Sequence, residues 1–186
     1  MPSASLTPFF AARWSPRAFR EDPLTADQVA TLFEAARRAP SCFNDQPWQF
    51  VYATSAPARA RLIPVLAEAN RGWAQRAPLL GIAFARKTFG ANGQPNRWAE
   101  FDTGQAAMSL ALQAHLLSLE AHFMGGFDPD AACAVCEVDP KEWTAMAAFV
   151  VGKVGEASIL PEKLREREIV RSPRKPHAEV ARELKD

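Results

Sequence analysis

Residues 78–86 read PLLGIAFAR, from Pro78 to Arg86, with no polar side chain before the last position. Such an apolar run predicts a strand buried on both faces. Upstream of it, Trp48 to Ala53 predicts a shorter strand, and residues 56–69 predict a helix in spite of Pro57 and Pro64. Further back, Thr25-Ala-Asp-Gln28 is a capping box that opens a helix through about Arg38. Val29, Leu32, Phe33 and Ala36 fall along one face of that helix, and Pro40 stops it. Residues 5–12 predict a short helix. Downstream of the apolar run, residues 88–97 form a polar loop containing Asn92-Gly93, Pro95 and Asn96. A long helix follows, from about Arg97 to Ala121. Ala106, Leu110, Ala114 and Leu117 make one stripe on it, and Ala107 and Ala111 a second. A helix apolar over most of its girth is expected to be buried, and its small residues would let a partner helix approach closely. Phe123 to Asp128, FMGGFD, predicts a tight loop. Pro129 to Glu137 predicts a short helix capped by Asp128, and Thr144 to Val154 a second buried strand. The tail from Leu160 is charged and poor in apolar residues.

Few strand–helix–strand units follow one another in this order, which favours an α+β fold over a doubly wound sheet. No G-x-G-x-x-G follows a strand and no G-x-x-x-x-G-K-[ST] occurs, so the chain has neither a dinucleotide fingerprint nor a P-loop. With 186 residues and no linker, repeat or low-complexity tract, residues 1–186 are expected to form one domain. A net charge of +1 makes no electrostatic case for a nucleic acid or a membrane surface as partner. No apolar run approaches the roughly 18 residues that span a bilayer. The first residues, MPSASLTPFFAARW, lack the basic start and apolar core of a signal peptide. The expectation is a cytoplasmic protein. Its 5 Trp and 12 Phe against 1 Tyr supply large burial area, which suits a dimer core or a flat ring ligand.

Four clusters could carry chemistry. In Arg13-Trp14-Ser15-Pro16-Arg17, two guanidiniums flank a hydroxyl. Arg forks grip phosphate bidentately, each charge-assisted bond being worth about 1.5–3 kcal/mol; a solvated basic turn is the alternative. The second cluster runs from Ala39 to Trp48, APSCFNDQPW. It is a stiff loop presenting short hydrogen-bonding side chains, although helix termination would explain Pro40 and Asn44 by themselves. In the third, Met124-Gly125-Gly126-Phe127-Asp128, adjacent glycines let backbone approach a ligand or simply form a turn. The fourth is the basic tail, Arg165, Arg167, Arg171, Arg174 and Lys175, of which one or two could fold back onto a phosphate while the rest face solvent.

Other features weigh against alternatives. Cys133-Ala-Val-Cys136 lacks the strand–helix setting of a redox pair, and lone cysteines usually behave as small buried hydrophobes. Three cysteines make no even disulfide framework, and no second C-x-x-C or H-x-x-x-H completes a zinc site. His115 and His122, seven apart on the long helix as read above, are expected to pack or to face solvent. No Ser occupies a G-x-S-x-G elbow.

Taken in order, RWSPR, APSCFNDQPW, the NRGW near Asn70, NRWAEFDTGQAA, GGFD and the terminal RSPRKP resemble the blocks of the nitroreductase family across essentially the whole chain. The resemblance implies an α+β fold with a mainly antiparallel central sheet flanked by helices. It also implies an intertwined homodimer that carries FMN at the subunit interface without a Rossmann unit. Its members pass electrons from NADH or NADPH to nitroaromatics, quinones or similar small acceptors, the ring chemistry belonging to the flavin. By position, Arg13, Trp14 and Ser15 would meet the phosphate and ribityl end, and Arg17 the pyrimidine edge. Pro40, Ser41, Cys42 and Asn44 would reach the flavin of the other subunit. Asn70 would face the pyrimidine edge. Met124, Gly125 and Gly126 would line the N5 side, with the Gly125 N–H able to bond N5. Arg174, with Arg171 or Lys175, would close on the phosphate.

Three departures from the family pattern bear on function. Trp73 and Ala74 stand where some members carry a Lys. Cys42 stands where a hydroxyl residue is common. The chain is shorter than many members, which suggests missing insertions over the site. Other readings stay open: a flavoprotein that dehalogenates an aromatic or breaks down its flavin, a flavin binder without turnover, or a helical interaction protein supported only by the segment 102–121.

Overall fold

The computed structural model describes residues 6–185; Ser5, the first residue of the expected N-terminal helix, lies outside the described residues. Four strands form one sheet: β1 (Trp48–Ala53), β2 (Leu79–Arg86), β3 (Glu120–Met124) and β4 (Trp143–Gly152). Their order is β1-β2-β4-β3, and every neighbouring pair is antiparallel. The α+β class expected from the sequence is the class observed.

The apolar run at 78–86 forms β2, and it is central. Its alternate residues feed two cores. Leu80, Ile82 and Phe84 pack on one side with Ala148 and Val150 of β4, while Leu79 and Ala83 pack on the other with Phe149 and Val151. The period of two along a strand puts successive side chains on opposite faces. Gly81 is required by this packing: a Cβ there would stand 2.7 Å from Cζ of Phe149 and 2.6 Å from the Val51 carbonyl oxygen. The Phe149 ring thus fills the place of a side chain at Gly81, and its full burial contributes about 1.5–3 kcal/mol.

Eight helices surround the sheet among the described residues: α1 (Pro8–Ala12), α2 (Ala26–Arg37), α3 (Ala56–Leu62), α4 (Glu68–Ala74), α5 (Ala99–Leu116), α6 (Pro129–Cys136), α7 (Glu162–Ile169) and α8 (His177–Val180). Helices α2 and α5 cover one face of the sheet, and α3, α4 and α6 the other. Both halves of the Thr25 capping box form. Gln28 N–H donates to Thr25 Oγ1 at 3.1 Å, and Thr25 N–H donates to Gln28 Oε1 at 2.9 Å. Asp128 caps α6 through the N–H groups of Asp130 and Ala131, both at 3.0 Å.

Three elements differ from the sequence reading. The helix expected over 56–69 is interrupted: α3 ends at Leu62, a 3-10 turn spans Ile63–Val65, and α4 starts afresh at Glu68. Pro64 has no N–H to continue the ladder, and Leu66 is extended and bridges to Phe127. The helix expected to reach Ala121 stops at Leu116. Ser118 adopts a left-handed conformation at φ 56°, and the Leu119 N–H reaches back to the Ala114 carbonyl at 2.9 Å. That is a Schellman ending made without glycine. Residues 120–124, assigned from sequence partly to the helix and partly to a loop, are instead strand β3, so His122 lies in the sheet. Finally, α5 is not buried all round. Its Ala106, Leu110, Ala111 and Ala114 pack inward, while Phe101, Met108 and Leu116 remain exposed.

Candidate active site

Strand β3 seats the segment that follows α1. His122, buried on β3, has its Nδ1 2.7 Å from the Pro16 carbonyl oxygen, which fixes the proton on Nδ1. The His122 ring lies 4.7 Å from that of Trp73 on α4, and the Arg17 guanidinium sits 5.9 Å from the same indole. Burial, with the Arg17 charge adding to it, holds the imidazole at about 4, well below its ordinary 6.5, so it is neutral at pH 7. At the foot of β3, Glu120 accepts from or pairs with His115 Nδ1 at 2.7 Å. Burial pushes the Glu120 carboxyl up, and His115 and the nearby Arg13 charge oppose that push.

The tail completes the arrangement. Glu168 of α7 accepts hydrogen bonds from the backbone N–H groups of Arg17 and Ala18, both at 2.8 Å to Oε1. Arg171 donates to the Ala12 carbonyl at 3.3 Å, across 159 residues of sequence, and stacks 4.7 Å over the Trp14 ring. The result is a pocket of about 450 Å³ whose lining includes Arg13, Arg17, Arg167, Arg171 and Arg174. Trp14, Ser15 and Ser172 add polar contacts, and Leu6, Phe10 and Ala11 an apolar side. Among the described residues, none of the five guanidiniums pairs with a carboxylate. Clustered cations without counter-charge repel one another, and an anion in the pocket relieves that repulsion. A larger depression of about 680 Å³ lies between residues 19–23 and 154–159. Both of its arginines are already paired, Arg20 to Asp22 at 2.5 Å and Arg76 to Glu21 at 3.2 Å, so it offers an anion no comparable cluster of free cations.

The residues singled out at the other end of β3 also meet. The Gly126 carbonyl accepts from Ala67 N–H at 2.9 Å and from Asn70 Nδ2 at 3.0 Å. A Cβ at Gly126 would stand 2.8 Å from that Asn70 nitrogen, whereas a Cβ at Gly125 would meet nothing within 4 Å. Gly125 therefore borders open space, and its neighbour is sealed by α4. From His122 to Gly125 the chain rises by about 10 Å at roughly 3.3 Å per residue. Trp73 lies one turn beyond Asn70 on α4 and reaches the Arg17 end.

The loop after α2 stands apart. Among the described residues none of 40–46 lines the basic pocket, and no hydrogen bond joins this loop to it. Ser41 Oγ accepts from Gln46 N–H at 3.0 Å, and Cys42 N–H donates to Asp102 at 2.9 Å. Asp45 ties the loop to Arg86, Gly90 and Asn96. Phe43 and Asn44 are left-handed, at φ 54° and 56°, and Phe43 is 92% exposed. A bulky residue in that backbone region is strained. Within one chain the loop therefore exposes a strained Phe43 outside the arginine pocket.

Sequence reasoning left out Ser172 and Glu168 as site residues, along with Asp102 and His122. Arg167 was visible only as one charge in a basic tail, and nothing in that tail distinguishes Glu168 from its solvated neighbours. Cys133 lies within α6 and Cys136 is its last residue. Burial pushes Cys133 up and Cys136 up to about 11, so neither is a thiolate at neutral pH.

The fold and pocket define an antiparallel α+β protein that gathers arginines for an anionic group without a glycine-rich nucleotide loop. Comparison with known proteins gives the family. The nitroreductase family model matches residues 10–153, and the chain belongs to the nitroreductase family, a family of oxidoreductases. It is 28% identical to a Leptothrix cholodnii protein named as an NADH dehydrogenase/NAD(P)H nitroreductase, over 88% of this chain and 89% of that one. It is 30% identical to the 5,6-dimethylbenzimidazole synthase of Rhodospirillum rubrum, over 95% and 93%. A crystal structure of an oxidoreductase containing FMN superimposes with a TM-score of 0.90 at 38% identity, covering 98% of this chain and 93% of that one.

Proposed function

We propose that the protein is a homodimeric FMN-dependent oxidoreductase that takes electrons from NADH or NADPH and delivers them to a nitroaromatic, quinone or similar small acceptor. The observation that carries this reading is the pocket of five unpaired guanidiniums, which fits a phosphate monoester. Arg13, Ser15, Arg171 and Arg174 would hold the phosphate, with Trp14 beside the ribityl chain. Arg17, braced over Trp73, would supply positive charge where the reduced ring carries negative charge. Asn70, held on the Gly126 carbonyl, would present its remaining amide oxygen to the pyrimidine edge. Met124, Gly125 and Gly126 would border the ring, and the open space at Gly125 leaves room for it. When bound, FMN would supply the redox chemistry, hydride acceptance from the nicotinamide and electron delivery to the acceptor.

The dimer is supported by what one chain leaves uncovered. Phe101, Met108 and Leu116 on α5 are exposed, as are Phe10 and Phe43. An apolar surface of this kind favours a second copy. In that dimer Pro40, Ser41, Cys42 and Asn44 would approach the flavin of the other subunit. Among the described residues no helix is long and apolar enough to cross a membrane, and we place the protein in the cytoplasm.

A second reading rests on the likeness to 5,6-dimethylbenzimidazole synthase. Flavin carries a dimethylated benzene ring, so the protein would consume its flavin rather than recycle it. One experiment separates the two. Protein loaded with FMN is given NAD(P)H in air, with and without a nitroaromatic. Sustained NAD(P)H oxidation that the nitroaromatic accelerates supports turnover. Loss of flavin absorbance with stoichiometric dimethylbenzimidazole supports consumption. Failure to retain FMN at all sinks both.

A further inference from the structure

Helix α7 is an unusual element to find docked. Its eight residues, EKLREREI, are mostly charged, and a helix this short is marginal by itself. Leu164 packs partly against the core, and Glu168 is the one residue of α7 that is buried, at 6% exposure. A buried carboxylate needs partners. Glu168 finds them in backbone: Arg17 N–H at 2.8 Å to Oε1 and 3.0 Å to Oε2, and Ala18 N–H at 2.8 Å to Oε1. It forms no pair with any of the five pocket guanidiniums among the described residues, although Arg167 is its neighbour in sequence and Arg17 supplies one of its donors.

We propose that Glu168 is the positioning residue of the phosphate site. It pins the tail that bears Arg167, Arg171 and Arg174 onto the segment that bears Arg13 and Arg17, and it does so without neutralising either set. This role rests on reading the pocket as the phosphate site. Because its oxygens are occupied by amide N–H groups, Glu168 adds binding energy between the two segments and leaves the guanidiniums to the ligand. Leu164 packs the start of the tail on the core, but beyond Glu168 the anchors among the described residues are weaker: one Arg171 hydrogen bond at 3.3 Å and its stacking on Trp14. Without Glu168 the tail cations would be free to leave, while the ring-facing residues on α4 and after β3 would stay in place, as would the Arg17 guanidinium, which rests against Trp73 rather than on Glu168.

The test compares FMN with riboflavin, which lacks the phosphate. Both are titrated by fluorescence into wild type, Glu168→Ala and Glu168→Gln, with amide exchange followed at Arg17 and Ala18. Glu168→Ala is expected to weaken FMN at least tenfold and riboflavin no more than twofold, with exchange protection lost at both amides. Glu168→Gln places an NH2 against the Arg17 N–H, so it is expected to weaken FMN at least threefold and to spare riboflavin. Equal losses for both ligands in a folded variant would overturn the role, since a general structural residue behaves that way. If Glu168→Ala does not fold, unchanged FMN affinity in Glu168→Gln overturns it. Equal wild-type affinity for FMN and riboflavin sinks the phosphate reading itself, whereas a wild-type preference that survives Glu168→Ala sinks only the role of Glu168.

Discussion

The carboxylate of Asp102, buried near the start of α5, accepts a hydrogen bond from the backbone N–H of Cys42 at 2.9 Å. One helical residue therefore holds the loop that the sequence singles out for contact with a second subunit. Removing the carboxylate leaves the Cys42 N–H without its partner and a gap beneath the loop. Asp102→Ala is expected to lower the unfolding free energy by about 1–3 kcal/mol and to release the loop. Denaturant titration reads the first effect, and amide exchange at Cys42 the second. Wild-type exchange at Cys42 in the variant would show that Asp102 does not secure the loop.

A Cβ at Gly125 meets no protein atom within 4 Å, so the chain itself tolerates a side chain there. Any effect of Gly125→Val must then come from something beyond this chain, and slowed flavin reduction at an unchanged unfolding midpoint points to the flavin beside it. The variant is expected to keep its unfolding midpoint and to slow flavin reduction by NAD(P)H at least about tenfold, which needs only about 1.4 kcal/mol. Stopped-flow absorbance on fully loaded protein measures it. Unchanged reduction kinetics would remove Gly125 from the site.

Sharing of each site between subunits predicts complementation. Arg13→Glu puts a repelling charge at the phosphate, and Ser41→Asp with Asn44→Asp puts charges in the loop. Each homodimer should lose FMN at both sites. In a mixed dimer one site collects every lesion and the other none, so half the sites should bind normally. Differential tags isolate the mixed species for titration. No recovery there means that Arg13 and the loop serve a flavin from the same chain, or that the loop serves none.

His122 gives the fold an acid-sensitive seam. Burial lowers its pKa from 6.5 to about 4 in the folded chain, so the unfolded chain takes up the proton first as pH falls. Stability from this group is complete above about 6.5, declines as pH drops towards 4, and is flat below. The full change is about 3 kcal/mol. His122→Asn keeps an N–H for the Pro16 carbonyl and cannot titrate. The wild type should therefore lose more stability than His122→Asn between pH 6.5 and 4, by urea melts at matched ionic strength. Parallel curves would mean that His122 does not remain neutral in the folded state.

Much of this protein can be read without coordinates, where short-range rules decide. The Thr25 capping box, the Asp128 cap and the stop at Pro40 depend on residues within four positions of one another, and each forms as expected. The unbroken run at 78–86 could only be satisfied between two cores, and β2 lies between two. The ordered blocks from Arg13 to Arg174 were enough to name the family. Residues 117–124, LSLEAHFM, alternate apolar and polar as a strand does, but they follow the apolar stripe of α5 with no Gly or Pro between, so the helical reading ran on into them. Pairing of Glu120–Met124 with Ala148–Gly152 settles that in favour of the sheet. Nor could the sequence show that Glu168 is buried or that Arg171 lies on Trp14. Those contacts span some 150 residues, and only the closing of the chain onto itself makes them. The types of residue that suit a phosphate are therefore a property of the sequence, whereas their convergence on one pocket is decided by the tertiary structure, since clustering like charges requires packing energy from elsewhere in the fold.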